Sequence, residues 1–279
     1  MNSLEIYEKH HKLIHLIYNS RLKIQILLTL IGGNAPLSRL REVTGSTSQA
    51  LIPKIRNLES LSLIESVNYE YRLTPIGRLV AESIENYVSL MGGIDKHQAF
   101  LMSHDLSDIP HEFLRRISDL YMAEVKYDAT TDIFFVYRHY VDILKDARYI
   151  HGISSAISPV LATFLAEKIA QGVRVELVVN RNVVDTLKQE PYVSNIRELL
   201  GSGNFLLFVT EESLKLGLTV SDKYVSLGFY KLGTDQYDTS TDLFSNDPQA
   251  VVWAEELFAH FRDRAQPLDL NLLLGDTSP

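Results

Sequence analysis

Residues 46–73 read STSQALIPKIRNLESLSLIESVNYEYRL. Leu51, Ile55 and Leu58 recur at the spacing of one helix face, and the hydroxyl residues ahead of them can cap the start of that helix. From Leu63 to Leu73 the chain reads as two short strands around a two-residue turn. This stretch therefore predicts a helix that is followed by a β-hairpin.

Further helices are predicted on both sides of this stretch. Apolar residues recur at helical spacing ahead of it, and a short helix at 37–43 is stopped by Gly45. A short helix, a glycine turn, a longer helix and a hairpin follow one another in the order of a winged helix-turn-helix. Thr74-Pro75 then caps a helix that is expected to end at Gly92-Gly93. We therefore expect a winged helix-turn-helix domain over residues 1–92.

Residues 93–265 are predicted to form an α/β domain with a mixed sheet. Residues 149–153 look like a strand, a helix begins at Ser158-Pro159, and residues 173–179 alternate as a second strand. A strand-helix-strand unit of this kind implies a parallel, right-handed crossover. A third strand, a hairpin and a closing helix follow, and residues 266–279 read as a C-terminal tail whose leucines can dock. The expected fold class of the whole chain is α+β.

The composition is that of a globular protein with two domains of ordinary size, since the chain has 279 residues, 46% of them hydrophobic and 22% charged. It has no cysteine, which excludes a disulfide framework, thiolate metal sites and a cysteine nucleophile. The first 15 residues lack the apolar stretch of a secretory signal, and the longest apolar run, Ile24 to Ile31, is far shorter than the about 20 residues that span a bilayer. We therefore expect a cytoplasmic protein with no part in the membrane.

The charges are distributed unevenly along the chain. Residues 1–80 contain 10 Lys and Arg against 6 Asp and Glu, a net charge of +4, whereas the remainder has 17 against 29, a net charge of -12. Basic side chains contribute to nucleic-acid binding by neutralising phosphates. The uneven charge is consistent with a polyanion that meets only the first segment, or with an uneven surface that has no such role.

Polar residues lie opposite the apolar face of the predicted helix, on the side that a winged helix-turn-helix presents to the major groove. Arginine can bond guanine bidentately, glutamine or asparagine can do the same to adenine, and hydroxyl groups at a helix start suit a phosphate. An ordinary surface helix would also expose such residues. Duplex DNA is the expected partner, contacted by Ser46, Thr47, Ser48, Gln49, Pro53, Lys54, Arg56 and Asn57 of the helix and by Tyr69 and Arg72 of the hairpin.

Pro53 does not fit well into this predicted helix. It lies about five residues inside a helix capped at Ser48, where its missing N–H deletes one backbone hydrogen bond. The helix is therefore expected either to begin later, near Leu51, or to be bent.

Several motifs make the chain similar to known regulators. Residues 58–65 (LESLSLIE) and 71–77 (YRLTPIG) resemble the recognition helix, wing and following helix of arsenical-repressor-type winged-helix regulators. The second segment resembles archaeal regulators whose second domain is named after the methanogen filamentation regulator, through HDLSDIP (104–110), YIHGIS (149–154), VSDKYVSLG (220–228) and WAEELF (253–258). The resemblance covers about residues 10–265. It implies a transcriptional regulator with a sensory second domain, and it leaves the ligand open.

The second domain is also distantly similar to phospholipase D-like folds, whose catalytic motif is H-x-K-x4-D. In residues 221–228 the lysine is present at Lys223, but Ser221 stands in place of the histidine and Gly228 in place of the aspartate. Without an imidazole there is no phosphohistidine route, so we expect a degenerate domain with no catalytic residues. The alternatives are a phospholipase D-like phosphodiesterase or nuclease, and a protein-protein adaptor that binds no DNA.

A ligand site is expected beyond the carboxyl ends of the parallel strands, because ligands gather at that edge of open sheets. Helix N-termini together with an arginine favour a small anionic metabolite there, although the same side chains are also suited to capping helices. The candidate residues are Ser154, Ser155 and Ser158 after one strand, Asn180, Arg181 and Asn182 after the next, and Ser221 in the hairpin.

No metal or cofactor is predicted, since His11 and His15 at i, i+4 lack a third ligand pattern. A homodimer is expected, because one winged helix covers only a few base pairs and two-fold regulators pair half-sites. The candidate contacts are apolar residues of the first helix (Ile6, Leu13 and Ile17) and of the helix after Thr74 (Ile84, Tyr87, Val88 and Met91).

Overall fold

The computed structural model describes residues 2–199 and 201–274. The chain forms two compact units, Met1–Ser89 and Leu90–Pro279. Within the described ranges, no helix combines the length and the apolar character that a bilayer crossing requires.

The N-terminal unit is a helical bundle with a small three-stranded sheet. The sheet has the order β1-β3-β2 and is antiparallel throughout. The elements follow one another as α1 (Ser3–Tyr18), α2 (Arg21–Ile31), β1 (Ala35–Pro36), α3 (Leu37–Thr44), α4 (Ser48–Ser60), β2 (Ile64–Val67), β3 (Glu70–Leu73) and α5 (Pro75–Ser103). This is the predicted order of a winged helix-turn-helix, with α3, the turn at Gly45 and α4 as the helix-turn-helix and β2–β3 as the wing.

The core of this unit is built from the apolar faces that the sequence pattern predicted. Leu51, Ile55 and Leu58 of α4 are buried against α2 and α3, together with Leu27 and Leu40. Because these residues repeat at 3.6-residue spacing, their burial turns the opposite face of α4 to the outside.

The helix α4 contains Pro53 and begins at Ser48, with Thr47 as its N-cap. Of the two expected alternatives, a start near Leu51 is therefore wrong, and a bend at Pro53 stays a prediction. Proline is tolerated because the core contacts of Leu51, Ile55 and Leu58 on the other face stabilise the helix, although Pro53 supplies no N–H to it.

The helix α5 does not end at Gly92-Gly93, as the sequence suggested, but continues to Ser103. The two glycines serve packing instead. A Cβ at Gly93 would lie 3.2 Å from the Cα of Ser118, and one at Gly92 would lie 3.4 Å from the ring of Tyr121. The glycines allow α5 to approach the following segment closely. In the sequence, a glycine pair that serves such packing looks the same as a pair that ends a helix.

The C-terminal unit is built on an eight-stranded mixed sheet with the order β11-β7-β6-β5-β8-β9-β10-β4, in which β5, β6 and β7 are parallel. The mixed sheet and the parallel β5-α8-β6 crossover confirm the predicted α/β architecture. Its elements are α6 (His111–Leu114), β4 (Glu124–Tyr127), α7 (Phe135–Leu144), β5 (Tyr149–Ser154), α8 (Pro159–Ala170), β6 (Arg174–Asn180), α9 (Arg181–Leu187), α10 (Tyr192–Leu199), β7 (Phe205–Thr210), β8 (Leu216–Ser221), β9 (Val225–Phe229), β10 (Thr241–Ser245), α11 (Pro248–Arg262) and β11 (Gln266–Leu268).

Helices cover both faces of this sheet. On one face α11 packs Trp253 and Phe258 against Ile153 and Leu218 of the strands. On the other face α8 contributes Ile169 to a second apolar cluster with residues of β5 and β6. The central strands are therefore buried on both faces, as is usual for parallel strands covered by helices.

The segment that was expected to be a tail takes part in the fold. Gln266–Leu268 forms an edge strand that pairs antiparallel with β7, and Leu273 in the following 3-10 turn is buried against the cluster of α9 and α10. A three-residue strand carries too little alternation to be recognised in the sequence. The remaining expected tail residues, 275–279, lie outside the described residues.

Candidate nucleic-acid interface

The outer face of α4 is a stripe of four exposed side chains, Gln49, Pro53, Arg56 and Ser60. They follow one another at helical spacing, opposite the buried Leu51. Among the residues that the structure describes, no carboxylate lies within 4 Å of the Arg56 guanidinium. The stripe therefore presents an unpaired cation between polar and apolar neighbours, as a helix that reads a groove requires.

The start of α4 is capped by Thr47, whose Oγ1 accepts a hydrogen bond of 3.3 Å from the N–H of Ala50. The predicted cap at Ser48 is thus displaced by one residue. Ser46 and Ser48 flank this cap and are half-buried, whereas Thr47 is exposed. N–H groups in the first turn of a helix have no acceptor within that helix, and they suit a phosphate oxygen.

Two predicted contact residues lie off the exposed stripe. Lys54 is half-buried at the side of α4. Burial lowers the pKa of the Lys23 ammonium, and the positive charge of the nearby Lys54 lowers it further. Asn57 is half-buried as well, and its Oδ1 has no hydrogen-bond partner in the described part of the chain. Their helical positions, beside rather than opposite Leu51 and Leu58, place both residues at the edge of the exposed stripe, and their contact with DNA stays a prediction.

The wing carries the most exposed aromatic side chain of the described residues. Tyr69 is 96% exposed at the hairpin turn, and both Asn68 and Tyr69 have positive φ, 52° and 65°. A tyrosine in the left-handed region is uncommon and costs conformational energy. The tight turn therefore holds an aromatic ring clear of the domain, where a neighbouring surface can meet it.

Arg72, also predicted to contact DNA, is not a free cation. Its Nε donates to Oε1 of Glu65 at 2.8 Å, and the two residues are direct register partners across β2 and β3. Both side chains are exposed, so solvent screens this ion pair and a phosphate can compete with the carboxylate.

In the C-terminal unit, the structure brings the predicted ligand residues to one sheet edge, since Ser154 and Val179 are register partners at the ends of β5 and β6. Their side chains, however, are engaged locally. Ser158 caps α8, Asn180 caps α9, and Ser155 donates to the carbonyl of Leu216. Ser154 donates to the carbonyl of Ala156. Capping thus accounts for the hydrogen bonds of most of the set.

The remaining members of that set are distributed differently. Arg181, the cation expected to attract an anion, forms an ion pair in which its Nη2 lies 2.8 Å from Oε1 of Glu211. Asn182 is exposed beside it. Ser221 is buried at the far end of β8, and its Oγ accepts from the N–H of Tyr224 at 3.1 Å. Because β8 is antiparallel to β5, Ser221 pairs with Ile150 at the start of β5. It therefore lies at the opposite end of the sheet from Ser154 and Asn180.

The degenerate catalytic motif has no room for the missing aspartate. A Cβ at Gly228 would lie 2.1 Å from Oδ1 of Asp242 and 2.2 Å from the hydroxyl of Tyr237. Burial raises the pKa of Asp242 to about 7, against a hydrogen bond from Ser226 that lowers it. The position that the motif assigns to an acid is therefore filled by side chains from elsewhere in the chain.

Sequence inspection singled out HDLSDIP (104–110) but did not reveal its role, which is structural. The buried His104 lies between the carbonyl of Phe100, 2.7 Å from Nδ1, and the carboxylate of Asp238, 3.3 Å from Nε2. Asp108 accepts from the backbone N–H of Lys215 at 2.6 Å. The contacts with Asp238 and Lys215 join segments more than 100 residues apart, and no local pattern reveals such partners.

Groups of three or more His, Asp or Glu that could hold a metal ion are not found in residues 2–199 and 201–274.

Comparison with known families gives two matches along the chain. The N-terminal domain of the methanogenesis regulatory protein FilR1 family matches residues 11–92, and the middle domain of that family matches residues 133–264. Methanogenesis regulatory protein FilR1 of Methanothrix harundinacea (strain 6Ac) is 27% identical over an alignment of 265 positions, and the alignment covers 92% of this chain and 58% of that protein. The chain thus spans less than two thirds of the length of this relative.

Two solved structures are similar at low identity. TrmBL2, an archaeal chromatin protein, is 15% identical with a TM-score of 0.43, covering 95% of this chain and 98% of its own. The phospholipase D family member Nuc from Salmonella typhimurium is 14% identical with a TM-score of 0.40, covering 52% of this chain and 97% of its own. At TM-scores below 0.5 these similarities do not bear on activity.

Proposed function

The chain belongs to the family of methanogenesis regulatory protein FilR1, and from that premise we propose that it is a transcriptional regulator that binds duplex DNA through its N-terminal unit. The observation that carries this proposal is the exposed stripe of α4. Arg56 has no acidic partner in the described chain, and it lies next to Gln49 and Pro53 on the face opposite the core. Tyr69 extends from the wing on the same unit.

The electrostatics of the two units support this choice of partner. Residues 1–89 carry a net charge of +2, from 10 Lys and Arg against 8 Asp and Glu, and residues 90–279 carry -10, from 17 against 27. A phosphate backbone is therefore attracted to the N-terminal unit and repelled by the rest. The alternative function, a phosphodiesterase of the C-terminal unit, is disfavoured because Ser221 and Gly228 stand where the catalytic motif has its histidine and aspartate.

The test is the salt dependence of binding. Fluorescence anisotropy of a labelled duplex, drawn from a random-sequence library by selection on the protein, should show log K falling linearly with log salt concentration as counterions are released. DNA binding would be contradicted by an affinity that does not change between about 50 and 200 mM salt, or by a selection that yields no duplex. Either result would favour a protein-protein adaptor that binds no DNA.

The proposed regulator acts as a homodimer. Of the sixteen residues of α1, only Ile17 is buried, whereas Leu4, Leu13 and Leu16 are 66%, 47% and 40% exposed. Tyr18 of α1 and Tyr87 of α5 form an edge-to-face pair with centroids 5.8 Å apart, which makes the two exposed helix faces continuous. An apolar surface of this kind is suited to a second copy of the chain.

The effector of the regulator is proposed to be a small anion at the carboxyl edge of β5 and β6. Such an anion must displace Glu211 from Arg181, because the two side chains form an exposed ion pair. Titration of candidate phosphorylated or carboxylated metabolites against the DNA complex tests this, with Arg181→Ala as the insensitive variant. A metabolite to which Arg181→Ala responds like wild type would place the site elsewhere.

A further inference from the structure

One backbone group on the exposed stripe of α4 lacks its helical partner. In a regular helix the carbonyl of Gln49 accepts from the N–H of residue 53, but that residue is Pro53, which has no N–H. A proline ring inside a helix also crowds the carbonyl four residues before it. Because Gln49 and Pro53 are both exposed, this carbonyl lies on the outer side of α4, and the helix offers it no N–H from position 53.

The chemistry of this oxygen limits what it can bind. A carbonyl only accepts hydrogen bonds, and phosphate and sugar-phosphate oxygens offer it no donor. In the major groove the exocyclic amino groups of cytosine (N4) and adenine (N6) are the donors that base edges present. Guanine and thymine present acceptor atoms but no donors there. These atoms carry a partial negative charge, as the carbonyl oxygen does, and would repel it.

We propose that the main-chain carbonyl of Gln49, released by Pro53, reads an amino-bearing base, cytosine or adenine, in the major groove. This inference rests on the proposed function and adds a main-chain acceptor to the side-chain groups of the stripe. The Arg56 guanidinium lies about two helical turns further along the stripe and carries donors only, so the stripe presents a main-chain acceptor and a separate side-chain donor set. Pro53 thereby acts as a positioning residue, through the carbonyl that it leaves free.

The role of Pro53 is distinct from packing. It is exposed and lies opposite the core of α4, so it contributes little to the buried interior. In the interior of a helix, proline is the least favourable residue. A residue that breaks a local rule without a compensating core contact is expected at functional positions.

The experiment compares three proteins in selection from a random-sequence duplex library. Wild type keeps the free carbonyl. Pro53→Ala restores the N–H and closes the backbone hydrogen bond to Gln49. Replacement of Pro53 by lactic acid, installed by nonsense suppression, has the side chain of alanine but an ester oxygen in place of the N–H, and thus controls for loss of the ring.

Wild type and the lactic-acid variant should select cytosine or adenine at one position of each half-site, and Pro53→Ala should lose that preference about fivefold to tenfold, the range of one hydrogen bond. The selected duplex is then remade with 2-pyrimidinone for cytosine, or purine for adenine, which deletes the amino group alone. This deletion should weaken binding of wild type and leave Pro53→Ala unchanged.

The possible failures are distinguishable. If wild type selects no duplex at all, DNA binding fails and the inference falls with it. If wild type binds a defined site but Pro53→Ala shows the same base preference and the same response to amino-group deletion, only the reading by the Gln49 carbonyl is overturned. Equal loss of preference in Pro53→Ala and the lactic-acid variant would assign the effect to the proline ring instead, which also overturns it.

Discussion

Arg72 and Glu65 face each other across the wing, with the Arg72 Nε 2.8 Å from Oε1 of Glu65. The Glu65 carboxylate accepts a hydrogen bond from the Arg72 guanidinium, which could otherwise bind a phosphate. Both side chains are about half exposed, 47% each, so the pair contributes less than about 1 kcal/mol to stability. The ion pair therefore fixes the Arg72 side chain on the wing and makes it less available to a DNA phosphate.

Glu65→Gln is expected to bind duplex DNA more tightly than wild type, because Arg72 is freed and one repulsive carboxylate is removed. The gain should be largest at low salt. The matched control is Glu70→Gln, which removes the same charge from an exposed wing position and leaves the Arg72 pair intact. Anisotropy titrations that show equal gains for the two variants would mean that total charge alone is responsible.

Arg56→Ala is expected to weaken binding to a selected duplex by about 1 to 3 kcal/mol if the guanidinium reads a guanine edge. The loss should be smaller on random-sequence DNA, because base contacts carry the specificity. Arg39→Ala serves as a control, since Arg39 is paired with Glu42 at 2.9 Å. Unchanged binding of Arg56→Ala on both duplexes would remove the exposed stripe of α4 from the interface.

Gly77→Ala is expected to destabilise the N-terminal unit by about 3 kcal/mol, the upper range of overpacking. A Cβ at Gly77 would lie 1.6 Å from the carbonyl oxygen of Leu63, and neither backbone can yield without breaking the Thr74 to Leu63 hydrogen bond of 3.0 Å. Gly32→Ala is the matched control, because its Cβ would find its nearest atom at 3.6 Å. Urea unfolding monitored by circular dichroism measures both, and similar midpoints for the two variants would be inconsistent with this close approach.

Asp242→Asn is expected to alter the pH dependence of stability. The pKa of Asp242 in the folded state, about 7, lies above its ordinary value of 3.8, so the folded state holds a proton that the unfolded state has lost. Stability contributed by this group is therefore complete below about pH 4 and is lost as the pH rises to about 7. The variant should lose this slope and be more stable than wild type at pH 8.

Thermal unfolding from pH 4 to pH 8 tests this, with Asp235→Asn as the control because Asp235 is 95% exposed. A slope that persists in Asp242→Asn would assign the titration to another group.

Leu13→Lys is expected to shift the dimer toward monomer, since it places a charge on the exposed apolar face of α1. Leu206→Lys, at a 41% exposed site of β7 in the C-terminal unit, provides the control and should leave association unchanged. Sedimentation velocity at micromolar concentration measures both. A wild-type species of 31.7 kDa under these conditions would contradict dimerisation altogether.

The elements of the N-terminal unit could be predicted from the sequence because their signals are local. The apolar spacing of Leu51, Ile55 and Leu58, the stop at Gly45 and the hairpin turn each involve residues within one or two turns of each other. The same holds for the cap at Thr74-Pro75 and for the β5-α8-β6 crossover. The family resemblance added the assignment of the two segments to one kind of regulator.

Only the tertiary structure decided which partners the candidate site residues meet. Arg72 meets Glu65, Arg181 meets Glu211 and the space at Gly228 is filled by Asp242 and Tyr237, because each partner is brought there by strand pairing or by a loop rather than by local spacing. Gly92-Gly93 marks a close approach inside a helix for the same reason. Periodicity specifies which face of an element is buried, whereas the identity of the neighbour depends on how distant segments pack.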